Sequence, residues 1–155
     1  MDKACCMDAD IAVTVREVTW QSHGGDIRRL RREVFVLEQQ VPEEEEWDED
    51  DAVSRYVVAV DGRERVLGTG RLAPQGKIGR LAVQRDWRGC GIGTALLQTL
   101  LTMAAAQGYR RVFLHAQCRA LDFYARQGFT AAGPEFDEAG ITHRKMTLTL
   151  PPQPR

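Results

Sequence analysis

Apolar positions recur with two different periods along the chain, and the switches between periods mark the elements. Ile11, Val13 and Val15 alternate with smaller or polar residues, which predicts a strand. Ile27, Leu30, Val34 and Leu37 fall at helical spacing, predicting a helix opened by Gly24-Gly25-Asp26, with Asp26 as N-cap, and running to about Gln39. Val41-Pro42 ends it. Strands are predicted over 53–60 and 64–73, joined at Asp61-Gly62 as a hairpin, and again over Lys77–Val83 after the turn Pro74-Gln75-Gly76. A helix from about Gly91 to Gln107 follows, apolar nearly all round and so deeply packed, with Gly108 as its C-terminal cap. A strand over 110–117, a short helix over 119–127, a short strand over 129–133 and a last strand over 141–150 complete the series. The order β-α-loop-β-β-β-α-β-α-β-β predicts an α/β (α+β) fold: a mixed, mostly antiparallel sheet of six to seven strands flanked by about four helices.

Length and charge narrow the picture. A chain of 155 residues predicts one domain, here over 10–150, with a disordered segment 1–9 and a tail 151–155. Its 21 basic and 22 acidic residues leave net charge -1, which argues against a nucleic-acid-binding protein. No stretch approaches the roughly 20 apolar residues of a membrane span, and the N-terminus lacks the apolar core of a signal peptide, so a cytoplasmic location with no membrane contact is expected. Cys5, Cys6, Cys90 and Cys118 form no CxxC pair and have no His-x-x-x-His partner, so no metal site is expected and all four are read as reduced thiols. One segment is strongly acidic: Glu43–Asp51 carries eight acids in nine residues. It reads as a loop or short irregular helix, and either as a solvated face or as an attractor of cationic amines.

The chemistry starts at Arg88-Gly89-Cys90-Gly91-Ile92-Gly93-Thr94, where three glycines alternate just before a helix. A Walker loop would need a lysine after its last glycine, and Thr94 follows instead. A dinucleotide fingerprint, GxGxxG, would need its third glycine where Thr94 stands; Gly93 arrives one residue early. The spacing Arg-x-x-Gly-x-Gly fits fully. Backbone N–H groups at a helix N-terminus make an anion site, and glycines let a phosphate approach them.

On this loop the chain resembles the GNAT superfamily of acyl-CoA-dependent N-acyltransferases. The resemblance continues in Gln117, Ala120, Phe123-Tyr124 and Gly128-Phe129, which match the family's second motif, with Gln117 in place of the more usual asparagine. Upstream, "REVFVLEQQVPEEEEWDEDD" and "IGRLAV" resemble the ElaA-like branch. The resemblance implies acetyl-CoA as cosubstrate. Its pyrophosphate would lie on Arg88, Gly89, Cys90, Gly91, Ile92, Gly93 and Thr94, and its pantetheine arm along the backbone of Leu81, Ala82 and Val83 and against Gln117. It implies Tyr124 as the acid that protonates the leaving thiolate, and a small-molecule or peptide amine as acceptor. Homodimers are common in the family, although no interface signature is visible here.

The general base is less defined. His115 lies near the end of its strand, and its ordinary pKa near 6.5 suits a base, while a position on the opposite face is equally compatible with the pattern. Glu38, Glu46, Asp48 and Asp51 are the other choices, as is a water chain ending in bulk solvent, and Arg80 stands where some relatives place a glutamate. Cys118 at a helix start would have a lowered pKa, which would suit a minor acyl-cysteine route. With no unambiguous base, a non-catalytic acyl-CoA-binding regulatory module is the alternative.

Overall fold

The computed structural model describes residues 12–152. Ile11, Cys5 and Cys6, the expected disordered segment 1–9 and most of the expected tail lie outside the described residues. The strands are β1 (Thr14–Val18), β2 (Arg55–Val60), β3 (Val66–Ala73), β4 (Lys77–Val83), β5 (Arg111–Gln117), β6 (Thr130–Glu138) and β7 (Ile141–Thr149). The helices are α1 (Trp20–Arg31), α2 (Glu43–Glu46), α3 (Ile92–Ala106) and α4 (Leu121–Arg126). The expected mixed sheet with four helices is present, and it has seven strands in the order β1-β2-β3-β4-β5-β7-β6.

Helix α1 starts earlier than its hydrophobic period suggests. The Thr19 hydroxyl accepts the Ser22 N–H while the Ser22 hydroxyl accepts the Thr19 N–H, a reciprocal cap that fixes the start at Trp20 and not at Asp26. Gly24 and Gly25 therefore sit inside the helix. Gly24 has a packing reason: a Cβ there would meet the Trp20 ring at 3.3 Å. That ring in turn stacks on Tyr56, with centroids 5.1 Å apart. Beyond Arg31 the helix widens into π-helical turns over Arg32–Glu38, which carry the chain over the sheet.

Each face of the sheet has its own core. On one face Leu96, Leu97 and Leu100 of α3, all fully buried, pack on Val57, Ile78, Val112 and Leu114. Truncating any of the three leucines to alanine would cost about 2–5 kcal/mol. On the other face Ile27 and Leu30 of α1 pack with Val34 on Tyr56, Val58 and Ala82. Helix α3 lies close to β3 because Gly68 and Gly70 have no side chains; a Cβ on Gly70 would stand 2.7 Å from Leu100 Cδ1.

Two irregularities open the sheet at its centre. The β3–β4 register shifts between Thr69 and Arg71, so β4 carries one extra residue, and Arg80 takes a left-handed φ of +50°. Such a bulge leaves backbone groups out of the ladder and bends the strand. Next to it, β4 and β5 run parallel but pair only at Lys77↔Phe113 before they diverge. The expected strand over 129–133 also continues further, because the register shift between Ala132 and Phe136 carries β6 past Gly133-Pro134 to Glu138.

Candidate active site

The divergence of β4 from β5 opens a cleft of about 770 Å³. Of the residues singled out from the sequence, it gathers Leu81 to Val83, Arg88, Gly89, Gly91 to Thr94, His115, Gln117 and Tyr124. Cys90 does not line it. The expectation of thiols throughout is also corrected: Cys118 is free, whereas Cys90 is disulfide-bonded. Among the described residues no cluster of His, Cys, Asp or Glu has the form of a metal site, and no helix is long and apolar enough to cross a membrane.

At one end of the cleft lies the start of α3. Its N-cap, Gly91, has φ +85° and supplies no side-chain cap, so the first N–H groups of α3 have no side-chain partner. A Cβ on Gly91 would meet nothing within 4 Å, which leaves the space over those N–H groups open. The site therefore fits an anionic group such as a pyrophosphate. Arg88 flanks it, but its side chain is already engaged. Its Nε donates to the Val83 carbonyl at 2.9 Å, and its two terminal nitrogens bind the Glu38 carboxylate at 2.5 and 2.8 Å. The Arg88 bond holds Glu38 below the ordinary carboxylate range. Glu38 is thus an anchor for Arg88 and a poor base.

Tyr124 also lines the cleft. Its ring meets Phe123 and Phe129 edge-on, with centroids 5.0 and 5.9 Å away. Phe123 in turn lies 3.6 Å from where a Cβ on Gly93 would be, which ties the tyrosine to the loop. Burial pushes the Tyr124 phenol up to about 12. It therefore stays protonated throughout the neutral range, as a proton donor must.

The other end of the cleft lies on the α1 face of the sheet. Successive residues of a strand face opposite sides. Leu114 and Ala116 of β5 enter the α3-side core, which turns His115 and Gln117 toward α1. His115 Nδ1 lies 2.9 Å from Glu138 Oε1 on β6. Burial pushes Glu138 up, but the His115 hydrogen bond and the charges of His115, His143 and Lys77 hold it below the ordinary range overall. Gln117 donates to Gln39 Oε1 at 2.8 Å and accepts from Arg119 at 3.0 Å, a bridge between β5 and the end of the π-helical turns. His143 gives its Nδ1–H to the Ile141 carbonyl at 2.7 Å and is buried. Sequence reasoning missed Glu138 and Gln39 as neighbours of the site. The Phe136/Glu138 alternation on one strand face was the available signal for Glu138, hidden by Gly133-Pro134.

The acidic stretch, read from the sequence either as a solvated face or as an attractor of amines, is tied down by arginines. Arg31, fully buried, donates Nε to Glu46 at 2.6 Å and Nη1 to Asp51 at 2.7 Å. Arg71 binds Asp48 and Asp51 at 2.8 and 2.9 Å, and Arg80 binds Asp48 at 3.2 Å. Glu46, Asp48 and Asp51 are thereby neutralised by three arginines, and two of the acids are buried. This removes all three from the set of bases. Five basic and five acidic side chains line the cleft, so it carries no acidic excess.

Cys118 also departs from expectation. It begins a three-residue 3-10 turn over Cys118–Ala120, which is too short to act as a helix N-terminus. Desolvation, with the charge and hydrogen bond of Glu135, pushes its thiol up and not down.

Comparison with known proteins places this geometry. The profile of the acetyltransferase (GNAT) domain matches residues 17–150. The chain is 39% identical over 121 residues to an uncharacterized N-acetyltransferase, YjcF, of Bacillus subtilis, covering 76% of this chain and 86% of that protein. Among solved structures, an acyl-CoA N-acyltransferase from Pseudomonas aeruginosa is 28% identical with a TM-score of 0.75, covering 88% of this chain and 98% of that one. Escherichia coli ElaA is 25% identical with a TM-score of 0.77, covering 88% and 99%. The chain therefore belongs to the GNAT acetyltransferases and is an acyl-CoA-dependent N-acyltransferase.

Proposed function

We propose that the chain transfers the acetyl group of acetyl-CoA to a primary amine by direct attack in a ternary complex. One observation carries this reading. The open helix start at Gly91–Thr94, the unpaired edge of β4 and the partly buried, protonated Tyr124 share one cleft with a histidine held by a carboxylate.

The roles follow from the chemistry of each group. The N–H groups at the start of α3 would bind the pyrophosphate, and the β4 edge from Leu81 to Val83 would pair with the pantetheine arm. A backbone N–H near Val83 would polarise the thioester carbonyl. His115 would take one proton from the incoming ammonium, freeing the nitrogen lone pair to attack the carbonyl carbon. Tyr124 would give its proton to the sulfur as the C–S bond breaks and regain one from the new amide nitrogen. The proton on His115 then leaves to solvent, so the balance is amide, free thiol and one proton.

A phenol at about 12 facing a thiol near 8.5 makes the bare transfer uphill by roughly 5 kcal/mol. The leaving sulfur shares the same desolvated cleft, which raises its own proton affinity and narrows that gap. The reading is tested by incubating the protein with acetyl-CoA and a panel of primary amines: a polyamine, free amino acids, an aminosugar and a peptide N-terminus. Amine-dependent release of free coenzyme A is the expected result. Saturable acetyl-CoA binding with no acceleration by any amine would count against it.

A further inference from the structure

His115 is held on three sides. Glu138 Oε1 takes its Nδ1 at 2.9 Å. The Phe136 ring stands edge-on to it at 5.0 Å, and Phe113 is tilted against it at 6.2 Å. These contacts come from β5 and β6, which flank β7 in the sheet, so the pair is fixed by rigid strands and not by a loop. Among the described residues no hydrogen bond reaches Nε2, and the side chain lines the cleft.

We propose that Glu138 is a positioning residue: it holds the Nδ1–H of His115, fixes that tautomer, and presents Nε2 as the acceptor of the ammonium proton. This rests on the reading of His115 as the base. An ionised carboxylate only accepts, so the proton between the two residues belongs to Nδ1 and the lone pair of a neutral ring belongs to Nε2. When Nε2 takes a proton, the adjacent carboxylate stabilises the imidazolium. The charged or titratable groups beside the pair are Lys145 and His143 on β7, opposite His115 and Gln117, and Lys77 on β4. The Lys145 ammonium is turned onto the Phe113 ring at 4.9 Å. His143 stacks on Phe136 with its Nδ1–H committed to Ile141 and is 7% exposed, which leaves His115 as the more accessible ring.

Nitrogen-15 NMR of the whole chain, with no ligand added, gives the first test. Neutral wild-type His115 should carry its proton on Nδ1. In Glu138→Leu the Nε2–H form should become dominant. The Glu138 side chain is 41% exposed, so these variants should keep the wild-type melting temperature within a few degrees.

Kinetics with acetyl-CoA and the fastest amine of the panel give the second test. Glu138→Gln should lower kcat by roughly 10–100-fold with KM for acetyl-CoA within about twofold, and move the acidic limb of kcat/KM to lower pH. Glu138→Asp should recover part of kcat. The double variant His115→Gln/Glu138→Gln should be no slower than His115→Gln alone. An unchanged tautomer and acidic limb in Glu138→Gln and Glu138→Leu, with the limb lost in His115→Gln, would overturn the positioning role and leave His115 as base. Wild-type kcat and limb in His115→Gln would overturn the reading beneath it. A multiplicative loss in the double variant would show that Glu138 acts independently of His115, and would also overturn the proposal.

Discussion

Replacing Arg31 with methionine tests whether the acidic segment is a structural element. Arg31 is fully buried, and three of its nitrogens bind the Glu46 carboxylate, the Asp51 carboxylate and the Glu46 carbonyl at 2.6, 2.7 and 2.7 Å. Methionine fills most of the volume, so the loss is mainly electrostatic. The two carboxylates fare differently. Asp51 keeps Arg71 at 2.9 Å and the Tyr56 hydroxyl at 3.0 Å, whereas among the described residues Glu46 keeps only Arg80, at 3.4 Å. Breaking a buried pair from one side costs about 3–5 kcal/mol, and the surviving partners of Asp51 place this case near 3. For a chain of this size that lowers Tm by roughly 6–12 °C.

The pH dependence has a definite sign. Burial already raises Glu46, and Arg31 and Arg80 oppose that rise. Without Arg31 its folded pKa climbs further above the unfolded value, so the penalty is full at neutral pH and shrinks as the pH falls below that raised pKa. Urea denaturation of Arg31→Met at pH 7 and pH 5 measures this, and Glu46→Gln in the Arg31→Met background should recover much of the loss. A neutral-pH loss under about 1 kcal/mol, or no recovery in the double variant, would show that Arg31 does not hold the acidic segment in place.

Three further outcomes are expected. Gly91→Ala places a side chain at φ +85°, costing roughly 1–2 kcal/mol, and crowds the open helix start; calorimetry should show coenzyme A binding weakened at least about tenfold, a change of roughly 1.4 kcal/mol. With five basic and five acidic side chains in the cleft, KM for a cationic amine should change less than about threefold between 50 and 500 mM salt, since balanced charges steer weakly. Because its thiol is raised, Cys118→Ser should keep kcat within about twofold, and steady-state patterns should remain sequential instead of ping-pong.

The sheet, α3 and the glycine turn before it were legible in the sequence because each rests on local chemistry: period-two and all-round apolar runs, and closely spaced turn residues. Lys77–Val83 matched to the residue. The start of α1 was not legible from its apolar stripe, since the Thr19–Ser22 cap outweighed two glycines. The ion pairs of the acidic segment were not legible, for a physical reason. Composition shows eight acids in nine residues, but not that Arg31, Arg71 and Arg80, distant in sequence, converge on them through packing. The same limit hid the partner of His115, because 23 residues and an intervening strand separate it from Glu138.

As the proposed acid, Tyr124 would supply the proton to the leaving sulfur. With the fastest amine of the panel, Tyr124→Phe should lower kcat by about 10²–10⁴-fold while acetyl-CoA binding changes less than about threefold. Wild-type kcat in that variant would contradict the account.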